Sequence, residues 1–332
     1  DHNQNAKLGY QFREESIQMK AVIINQYGGP EELQMTTIDR PQIADDEVLV
    51  AVKATSINPI DWKARQGLLK GMFDWQMPVV LGWDVAGTIV AVGAAVTQFK
   101  VGDDVFARPD IYEDGLRGTY AEYAAVKEDK LALKPAELTF QQAAALPLAG
   151  LTAYQVVHDQ LKLQAGEKIL IQAGAGGVGL NAIQIAKYLG AEVATTASAN
   201  HHDLLKRIGA NHIIDYHTTA IQDVLKDYDA VFDTIDAIDD GLAILKPNGR
   251  LVTIDGQPTE AQKSVGPAVS SWWLQPNGRE LAILGQLAVE GHLQVIIDQV
   301  FPFSTEGLQA AHRYSENSHS AGKLVINVGT EA

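Results

Sequence analysis

Three glycines in the segment ILIQAGAGGVGLNAIQIAK, residues 169–187, have a spacing that suits a phosphate-binding loop. Gly174, Gly176 and Gly179 form the pattern G-x-G-x-x-G between a short apolar run and an amphipathic stretch. In this pattern the first glycine permits a tight turn, the second lets the main chain approach a pyrophosphate, and the third lets helix and strand pack closely. The segment therefore predicts a dinucleotide cradle at a helix N-terminus, with a flexible strand-to-helix loop as the alternative.

The residues after the next predicted strand, EVATTAS, bear on which dinucleotide the cradle holds. An NAD site places an acidic residue there to bind the ribose hydroxyls, whereas this chain has Ser198, followed by Asn200, His201 and His202. Hydroxyl, amide and imidazole groups can donate to a 2′-phosphate, which a carboxylate would repel. The sequence therefore favours NADP(H) over NAD(H). The same residues could also cap the following helix, and the two roles are compatible.

Composition and charge exclude several classes of function. The 332 residues include 26 basic and 41 acidic side chains, a formal net charge of −15, which argues against sequence-independent binding to nucleic acid or an anionic membrane. The absence of cysteine excludes disulfides and thiolate chemistry. No apolar stretch is long enough to span a membrane, so a cytoplasmic protein that acts on small molecules is expected.

Because MKAVIINQYG from Met19 resembles a natural start, residues 1–18 are expected to be a leader or extension.

Two patterns of secondary structure divide the chain. From Met19 to about Lys134, short strands between turn signals predict a compact β-rich domain. Strands and helices then alternate, which predicts an α/β domain with a parallel sheet covered on both faces. The predicted strands are KILIQAG, EVATTAS, HIIDY, AVFDTI and RLVTIDG, and the predicted helices cover 177–189, 201–208, 219–226 and 237–245. The alternation of strands and helices ends near residue 276. Residues 19–145 and 277–332 are therefore expected to form one discontinuous domain around a nucleotide-binding domain at 146–276.

Five segments occur in a fixed order along the chain: INPIDWKARQG, PVVLGWDVAGTIVAVGAAVTQFKVGDDVFA, GTYAEYAAV, ALPLAGLTAYQ and AGAGGVG. With them the chain resembles the medium-chain dehydrogenase/reductase superfamily. More narrowly, it is similar to the zinc-free quinone oxidoreductase branch, which includes zeta-crystallin and the plant enone oxidoreductases. The resemblance implies a GroES-like β-rich catalytic domain with a Rossmann domain, a doubly wound parallel sheet, inserted in it.

The resemblance also implies where NADPH or NADP+ binds. Thr152 is expected near the nicotinamide, and Ser198, His201 and Tyr216 around the 2′-phosphate. Many relatives have lysine or arginine where this chain has His201, so a weaker, pH-sensitive phosphate contact is expected. The full set of expected cofactor-binding residues is Thr152, Gly174, Gly176, Gly177, Val178, Gly179, Ser198, His201, Tyr216, Ile254 and Lys323.

The positions that bind catalytic zinc in zinc-dependent relatives predict no metal site here. Those relatives use a cysteine, a histidine and a third residue, and the resemblance places the matching positions at Asn58, Trp83 and Leu148, none of which can replace that set. Without a metal acting as Lewis acid, unactivated alcohols are poor substrates. Quinones and α,β-unsaturated carbonyl compounds already delocalise the arriving charge onto oxygen, so the expected function is a zinc-free, NADPH-dependent reductase of such acceptors.

Lys63 and Asn58 are the candidate catalytic residues. The enone oxidoreductases carry lysine where some zinc-free relatives carry tyrosine, so the resemblance makes Lys63 a candidate to bind a ribose hydroxyl or the substrate oxygen; a solvated surface lysine is the alternative. Asn58 could face the cofactor ribose or the substrate, or could simply be a turn residue before Pro59. Two other functions remain open, an enoyl-thioester reductase and a non-catalytic NADPH-binding redox sensor or structural protein.

The segment AVSSWWL, residues 268–274, is predicted to be the last strand of the Rossmann sheet. An exposed strand this apolar favours edge-to-edge pairing with another copy. Since relatives dimerise in that way, a homodimer through 268–274 is expected.

Overall fold

The computed structural model describes residues 17–317 and 320–332, which fall into two compact units. The first unit comprises Asp1–Ala145, Gln299–His319 and Leu324–Ala332, and the second comprises Leu146–Asp298 and Ser320–Lys323. The leader predicted at residues 1–18 lies outside the described residues except for Ile17 and Gln18, and Gln18 begins the first strand. None of the helices within the described residues is long and apolar enough to cross a membrane.

The secondary structure of the described residues is as follows. The strands are β1 Gln18–Ile24, β2 Gln34–Asp39, β3 Glu47–Ile57, β4 Val79–Val80, β5 Val85–Val92, β6 Asp104–Ala107, β7 Tyr123–Lys127, β8 Leu131–Leu133, β9 Lys168–Ile171, β10 Glu192–Thr196, β11 His212–Ile214, β12 Tyr228–Asp233, β13 Leu245–Thr253, β14 Ala268–Ser271, β15 Ile297–Pro302 and β16 Lys323–Asn327. The α-helices are α1 Pro59–Arg65, α2 Phe140–Ala145, α3 Pro147–Tyr154, α4 Gly177–Tyr188, α5 His202–Arg207, α6 Ile238–Ile244, α7 Glu260–Lys263, α8 Gly278–Val289 and α9 Thr305–Glu316. Gln155–Gln160 continues α3 as a π-helical turn, and short 3-10 turns lie at Pro30–Glu32, Glu128–Lys130, Ala199–His201 and Ile221–Asp223.

The first unit is built around β3, whose eleven residues EVLVAVKATSI are rich in β-branched side chains. In the seven-stranded sheet of order β15-β16-β3-β5-β6-β8, β3 pairs antiparallel with β16, β5 and β7. Val50, Ile89 and Val126 belong to the apolar cluster on this sheet. A smaller antiparallel sheet has the order β2-β1-β4. The GroES-like, β-rich architecture expected from the sequence is confirmed, and β3 ends at Ile57, directly before the candidate residue Asn58.

The second unit contains the predicted parallel sheet. Its six strands have the order β11-β10-β9-β12-β13-β14, and every neighbouring pair is parallel. The first strand, β9, therefore lies next to the point where the order reverses, which is the arrangement of a doubly wound dinucleotide-binding sheet. Leu170, Val231 and Leu251 on three adjacent strands belong to one buried cluster. The Rossmann-type fold is confirmed, and β9 leads into the glycine loop.

Two local predictions differ from the structure. The helix predicted at 219–226 is only a 3-10 turn at Ile221–Asp223, and it follows a turn in which the carbonyl of Asp215 accepts the amides of Thr218 and Thr219. Asp227, with φ 58°, ends the remaining segment before β12. The strand predicted at 268–274 ends at Ser271, so Trp272 and Trp273 lie beyond it. Trp272 instead donates its indole N–H to Gln155 Oε1 at 3.0 Å.

Residues 277–298 pack with the second unit, whereas the sequence predicted a return to the first domain at 277. Polar side chains hold this segment against the unit. Gln155 Nε2 donates to the carbonyl of Gln275 at 2.7 Å, and Gln184 on α4 exchanges two hydrogen bonds with the main chain of Gln294. Leu281 and Leu284 of α8 are fully buried. The contact of α8 with this unit therefore explains why the compact unit extends to Asp298.

Candidate functional site

Most of the predicted cofactor residues lie at one edge of the parallel sheet. The glycine loop follows β9, Ser198 and His201 follow β10, Tyr216 follows β11 and Ile254 follows β13. In parallel α/β sheets the ligand lies outside these carboxyl ends, beside the strand where the order reverses. The topology therefore brings to one edge residues that are up to 80 positions apart in the sequence.

Gly174 and Gly179 are required by close packing inside the loop. A Cβ on Gly179 would lie 2.4 Å from the carbonyl oxygen of Ala173 and 2.8 Å from Gly174 Cα, so helix and turn can meet only because it is absent. A Cβ on Gly174 would lie 2.2 Å from Thr195 Oγ1 on the neighbouring strand. The tight turn itself falls at Ala173, whose φ is 54°, rather than at Gly174 as the motif suggested. Gly174 therefore serves the packing of the loop on β10.

Gly176 and Gly177 form the open face of the loop. A Cβ on Gly176 would meet nothing closer than the carbonyl oxygen of Ala173 at 3.5 Å, so the space beside this exposed glycine is free of the described protein atoms. Gly176 is the N-cap of α4, and the amides of the first turn that follows have no partner within the helix. Open space beside main-chain donors fits a pyrophosphate. Val178, in the same first turn, is half-buried.

Lys323 and Ala149 of α3 approach the same loop from other elements of the second unit. The aliphatic part of Lys323 covers Gly177, since a Cβ there would lie 2.8 Å from Lys323 Cδ and 3.6 Å from the Cβ of Ala149. Thr152 lies one turn beyond Ala149 on α3 and is 5% exposed. Its hydroxyl donates to the carbonyl of Leu148 at 2.7 Å, so this O–H is already used within its own helix.

Sequence reasoning missed the side chains that hold the loop. Thr196 Oγ1 accepts the amide of Ala173 at 3.0 Å, and the Thr195 hydroxyl donates to the carbonyl of Ile171 at 2.6 Å. On the other side, the Thr234 hydroxyl donates to the carbonyl of Gln172 at 2.9 Å. Two consecutive threonines at the end of a buried strand were a usable signal, because buried hydroxyls need partners. These contacts fix the conformation that the glycines permit.

The expected 2′-phosphate residues lie close together. Ser198 Oγ and Tyr216 Oη are 3.4 Å apart, and the tyrosine is 56% exposed, with its ring against that of His217 at 4.2 Å between centroids. Ser198 precedes the turn Ala199–His201 but makes no side-chain capping bond, so the capping alternative does not hold for its hydroxyl. His201 is partly exposed at the end of that turn. Accessible hydroxyl and imidazole groups therefore share one surface.

In the first unit, Asn58 is held on two sides. Its amide Nδ2 donates to Asp84 Oδ2 at 2.8 Å, and its main-chain N–H donates to Asp61 Oδ2 at 2.7 Å. The Ser56 hydroxyl donates to the same Asp84 oxygen at 2.5 Å. Asn58 is thus both the residue that begins α1 before Pro59 and part of a buried polar cluster. Neither Ser56 nor Asp84 was predicted from the sequence.

A buried arginine adds positive charge to this cluster. The pairing of Val85 with Ala107 places Asp84 and Arg108 side by side at the ends of β5 and β6. Arg108 is 3% exposed, and its Nε has no hydrogen-bond partner among the described residues. Burial lowers the pKa of Arg108 to about 10, and the carboxylates of Asp84, Asp110 and Asp61 oppose that shift. Arg108 thereby offsets negative charge around Asn58.

Lys63 lies on α1, midway between buried Asp61 and buried Arg65, but is itself only half-buried. Its Nζ is 5.8 Å from the centre of the Trp62 ring. The seven-residue helix therefore buries acid and arginine on one side and presents lysine on another. This arrangement allows Lys63 to donate to a ligand while its neighbours fix the helix.

The three residues that the resemblance predicted at the zinc-ligand positions make other contacts. Asn58 is hydrogen bonded to Asp84, and Trp83 is 3% exposed, with its ring stacked on Trp75 at 6.1 Å between centroids. Leu148 is half-buried on α3. Across residues 17–317 and 320–332, no three histidine, aspartate or glutamate side chains form a group that could hold a metal ion.

Comparison with known proteins agrees with this geometry. A family model described as the alcohol dehydrogenase GroES-like domain matches residues 44–136, and one described as zinc-binding dehydrogenase matches residues 208–326. The NADPH-dependent alkenal/one oxidoreductase of Arabidopsis thaliana is 38% identical over 93% of this chain and 79% of its own length. The 2-methylene-furan-3-one reductase of Solanum lycopersicum is 36% identical over 93% of this chain and 79% of its own length. The solved structure of the quinone oxidoreductase from Coxiella burnetii superimposes with a TM-score of 0.86 at 34% identity, covering 94% of this chain and 99% of that one.

Proposed function

The chain belongs to the medium-chain dehydrogenase/reductase superfamily, in its quinone oxidoreductase and alkenal/one oxidoreductase branch, and from that premise we propose that it transfers a hydride from NADPH to quinones or α,β-unsaturated carbonyl compounds without a metal ion. The observation that carries the proposal is the glycine loop at the reversal point of the parallel sheet, with open space beside Gly176. Such a site suits the pyrophosphate of a dinucleotide.

The described residues fit NADPH. The main-chain amides at the start of α4 would bind the pyrophosphate, the aliphatic part of Lys323 covers Gly177, and Thr152 is proposed to lie near the nicotinamide. Ser198, His201 and Tyr216 would donate to the 2′-phosphate, which is why NADPH is proposed over NADH. When bound, the reduced nicotinamide supplies a hydride. The protein contributes orientation and charge.

Lys63 is proposed to stabilise the charge that develops on the acceptor oxygen. As an electron pair reaches the conjugated system, negative charge collects on the carbonyl oxygen, and an ammonium group can donate to that oxygen and later release a proton. Asn58 is proposed to help orient the ligand. Its amide nitrogen already donates to Asp84, so its orientation is fixed before substrate arrives. Preorganised groups of this kind lower the barrier without having to reorient during the reaction.

Zinc independence belongs to the proposal. One matching family model, over residues 208–326, is described as zinc-binding dehydrogenase, yet the positions that the family resemblance assigns to the zinc ligands hold Asn58, Trp83 and Leu148. Amide, indole and alkyl side chains do not form the cysteine and histidine set of a catalytic zinc site. Conjugated acceptors fit this arrangement, because they do not require a Lewis acid to accept hydride.

A homodimer through the edge of the parallel sheet is likewise proposed. β14 is the last strand in the sheet order, so its outer side can pair with another copy. Trp273, just beyond it, is 46% exposed, and an exposed tryptophan beside a free edge favours association. Light scattering on the purified chain tests this directly, since a monomer at micromolar concentration would contradict it. The cytoplasmic location stays a prediction.

An acceptor panel tests the proposed function. Purified protein is mixed with NADPH or NADH and with a quinone, an enone, an enal or an enoyl thioester, and the absorbance of the reduced nicotinamide is followed. We expect turnover of quinone or enone with NADPH, and weaker turnover with NADH. Preference for the enoyl thioester would favour the thioester reductase. Tight NADPH binding without turnover of any acceptor would favour the non-catalytic sensor.

A further inference from the structure

The first unit contains a buried chain of polar side chains that the proposed reaction does not use. Arg65, Tyr120 and His312 each have a relative exposure of 0%, as does Asp61. Arg65 Nη1 is 2.6 Å from His312 Nδ1, and His312 Nε2 is 3.0 Å from Tyr120 Oη. Burial raises the pKa of the Tyr120 hydroxyl, and the nearby carboxylate of Asp61, acting as its hydrogen-bond acceptor, raises it further. We name these four side chains the relay.

The direction of each hydrogen bond in the relay follows from the groups themselves. A guanidinium can only donate, so Nδ1 of His312 must accept from Arg65. The imidazole proton is then on Nε2, which donates to the oxygen of Tyr120. Tyr120 in turn has one proton, which it donates to the carboxylate of Asp61. These donor and acceptor roles therefore allow only one arrangement of protons along the relay.

His312 cannot serve as an acid or base in this arrangement. Burial, together with the adjacent charge of Arg65, lowers the pKa of His312 to about 3. The ring is consequently neutral throughout the physiological range, and a second proton would put two positive charges side by side. A buried neutral histidine between two fixed partners orients groups rather than transferring protons.

The relay joins the two ends of α1. Asp61 lies in the first turn and Arg65 is the last residue of this helix, so Tyr120 and His312 connect opposite charges that are four residues apart. Further bonds reinforce the second end, where Arg65 Nε donates to the carbonyl of Gly28 at 3.1 Å and Arg65 Nη2 pairs with Glu316. A seven-residue helix is marginal in isolation, so these tertiary contacts determine where it lies.

We propose that His312 and Tyr120 are positioning residues for Lys63, which lies on α1 between Asp61 and Arg65. The inference rests on the proposed function, in which Lys63 donates to the acceptor oxygen. Loss of one link leaves α1 tethered at its main chain but free to shift by a fraction of an ångström, a displacement that lowers turnover more than it lowers stability or cofactor affinity.

Three variants test the relay. Tyr120→Phe removes one hydroxyl and keeps the ring, and His312→Leu removes both polar atoms of the imidazole. His312→Gln retains an acceptor for Arg65 and a donor for Tyr120. Tyr228→Phe, at a buried tyrosine in the second unit, makes the same chemical change as Tyr120→Phe away from the relay. Each variant is assayed well below its melting temperature for kcat and for the KM of NADPH and of the acceptor.

We expect Tyr120→Phe and His312→Leu to lower kcat about tenfold or more, with the KM for NADPH unchanged within about twofold. His312→Gln should recover most of the kcat lost in His312→Leu, and Tyr228→Phe should match the unmodified protein. A purely structural role predicts lower melting temperatures with kcat unchanged. Full kcat in both Tyr120→Phe and His312→Leu would therefore overturn the proposal, as would equal losses in His312→Leu and His312→Gln.

Hydrogen exchange separates this proposal from the proposed function. The amides of α1 should exchange at least about tenfold faster in Tyr120→Phe and His312→Leu than in the unmodified protein, because local opening becomes easier. If the unmodified protein turns over no acceptor, the proposed function fails, and faster exchange at α1 alone still supports the relay. Unchanged exchange in both variants would overturn the relay whatever the turnover.

Discussion

The glycine loop after β9 and the helix α1 after β3 both begin where a central strand ends, but they are built from different parts of the chain. In the loop, the groups proposed to bind a ligand are main-chain amides, and glycines provide the space beside them. In α1, the groups are side chains, and other buried side chains hold them in place. The loop therefore requires that glycines leave space beside its main-chain amides. The position of α1 requires instead that buried side chains keep their hydrogen-bond partners.

This difference predicts different responses to mutation. A Cβ added to a main-chain site lowers either the stability of the fold or the affinity for the ligand. Which of the two it lowers depends on the side of the loop that the Cβ faces. A side-chain site fails when a partner is lost, even if the fold survives. The predictions below separate these two behaviours, beginning with the largest expected effect.

Gly179→Ala should affect the fold, and Gly176→Ala the ligand. The added methyl at 179 would lie 2.4 Å from a carbonyl oxygen that cannot move freely, so we expect a cost of roughly 1–3 kcal/mol and little measurable NADPH binding. At 176 the methyl meets no protein atom nearer than 3.5 Å, so the melting temperature should hold while NADPH affinity falls. Calorimetry measures the melting temperature and fluorescence titration measures NADPH affinity. Gly71→Ala is the control, because no atom lies within 4 Å of a Cβ at that position. Equal behaviour of the two loop variants would contradict the division of roles.

Lys63→Met should separate turnover from cofactor binding. If the ammonium group stabilises the acceptor oxygen, kcat should fall by about 100-fold. NADPH affinity should not change, because the expected cofactor residues all lie in the second unit. Lys70→Met removes an exposed lysine whose Nζ is 4.7 Å from the centre of the Tyr27 ring, and it should leave kcat unchanged. Steady-state kinetics give kcat for the two variants. An equal kcat for Lys63→Met and Lys70→Met would exclude Lys63 from the mechanism.

Ser198→Asp should change the choice between the two nicotinamide cofactors. A carboxylate beside Tyr216 would repel the 2′-phosphate, so we expect the KM for NADPH to rise about tenfold while that for NADH does not. Ser198→Ala separates loss of the hydroxyl from gain of charge and should have the smaller effect. An unchanged ratio of kcat/KM for the two cofactors would place the 2′-phosphate elsewhere.

Glu280→Gln should remove a small dependence of stability on pH. Burial and the neighbouring carboxyl of Asp159 raise the pKa of Glu280 to about 7. Because this folded-state pKa lies above the ordinary value, the stabilisation is complete below about pH 4.5 and is lost as pH rises through about 7. After discounting for solvent screening, we expect about 1 kcal/mol, or roughly 2–4 °C in melting temperature. Glu290→Gln, at an exposed glutamate after α8, is the control, and parallel pH curves for both variants would contradict the assignment.

Much of the second unit could be predicted from the sequence, because the patterns that determine its strands, helices and glycine loop each lie within a short segment of the chain. Alternating apolar runs and helices predict a parallel sheet, and the glycine spacing identifies the loop without knowledge of its neighbours. Local reasoning failed where a turn intervened. The segment 219–226 was predicted to be a helix, but it lies between the turn after Asp215 and Asp227, whose φ is 58°, and it forms only one 3-10 turn.

The site in the first unit could not be predicted in the same way. Asp84, Arg108 and His312 come to α1 from strands and a helix far along the chain, and no spacing rule connects them to Asn58 or Lys63. Each is a common residue type whose importance arises from burial beside a particular partner. Only the three-dimensional structure shows that Asp84 and Arg108 compensate each other and that His312 lies between Arg65 and Tyr120.

The central claim is that the acceptor's own conjugation replaces a metal ion. The most direct test compares an α,β-unsaturated ketone with its saturated analogue, using NADPH and protein treated with a strong chelator and checked for zinc by elemental analysis. We expect undiminished turnover of the unsaturated ketone and none of the saturated one. Reduction of the saturated ketone, or activity that disappears with the chelator and returns with added zinc, would contradict the account.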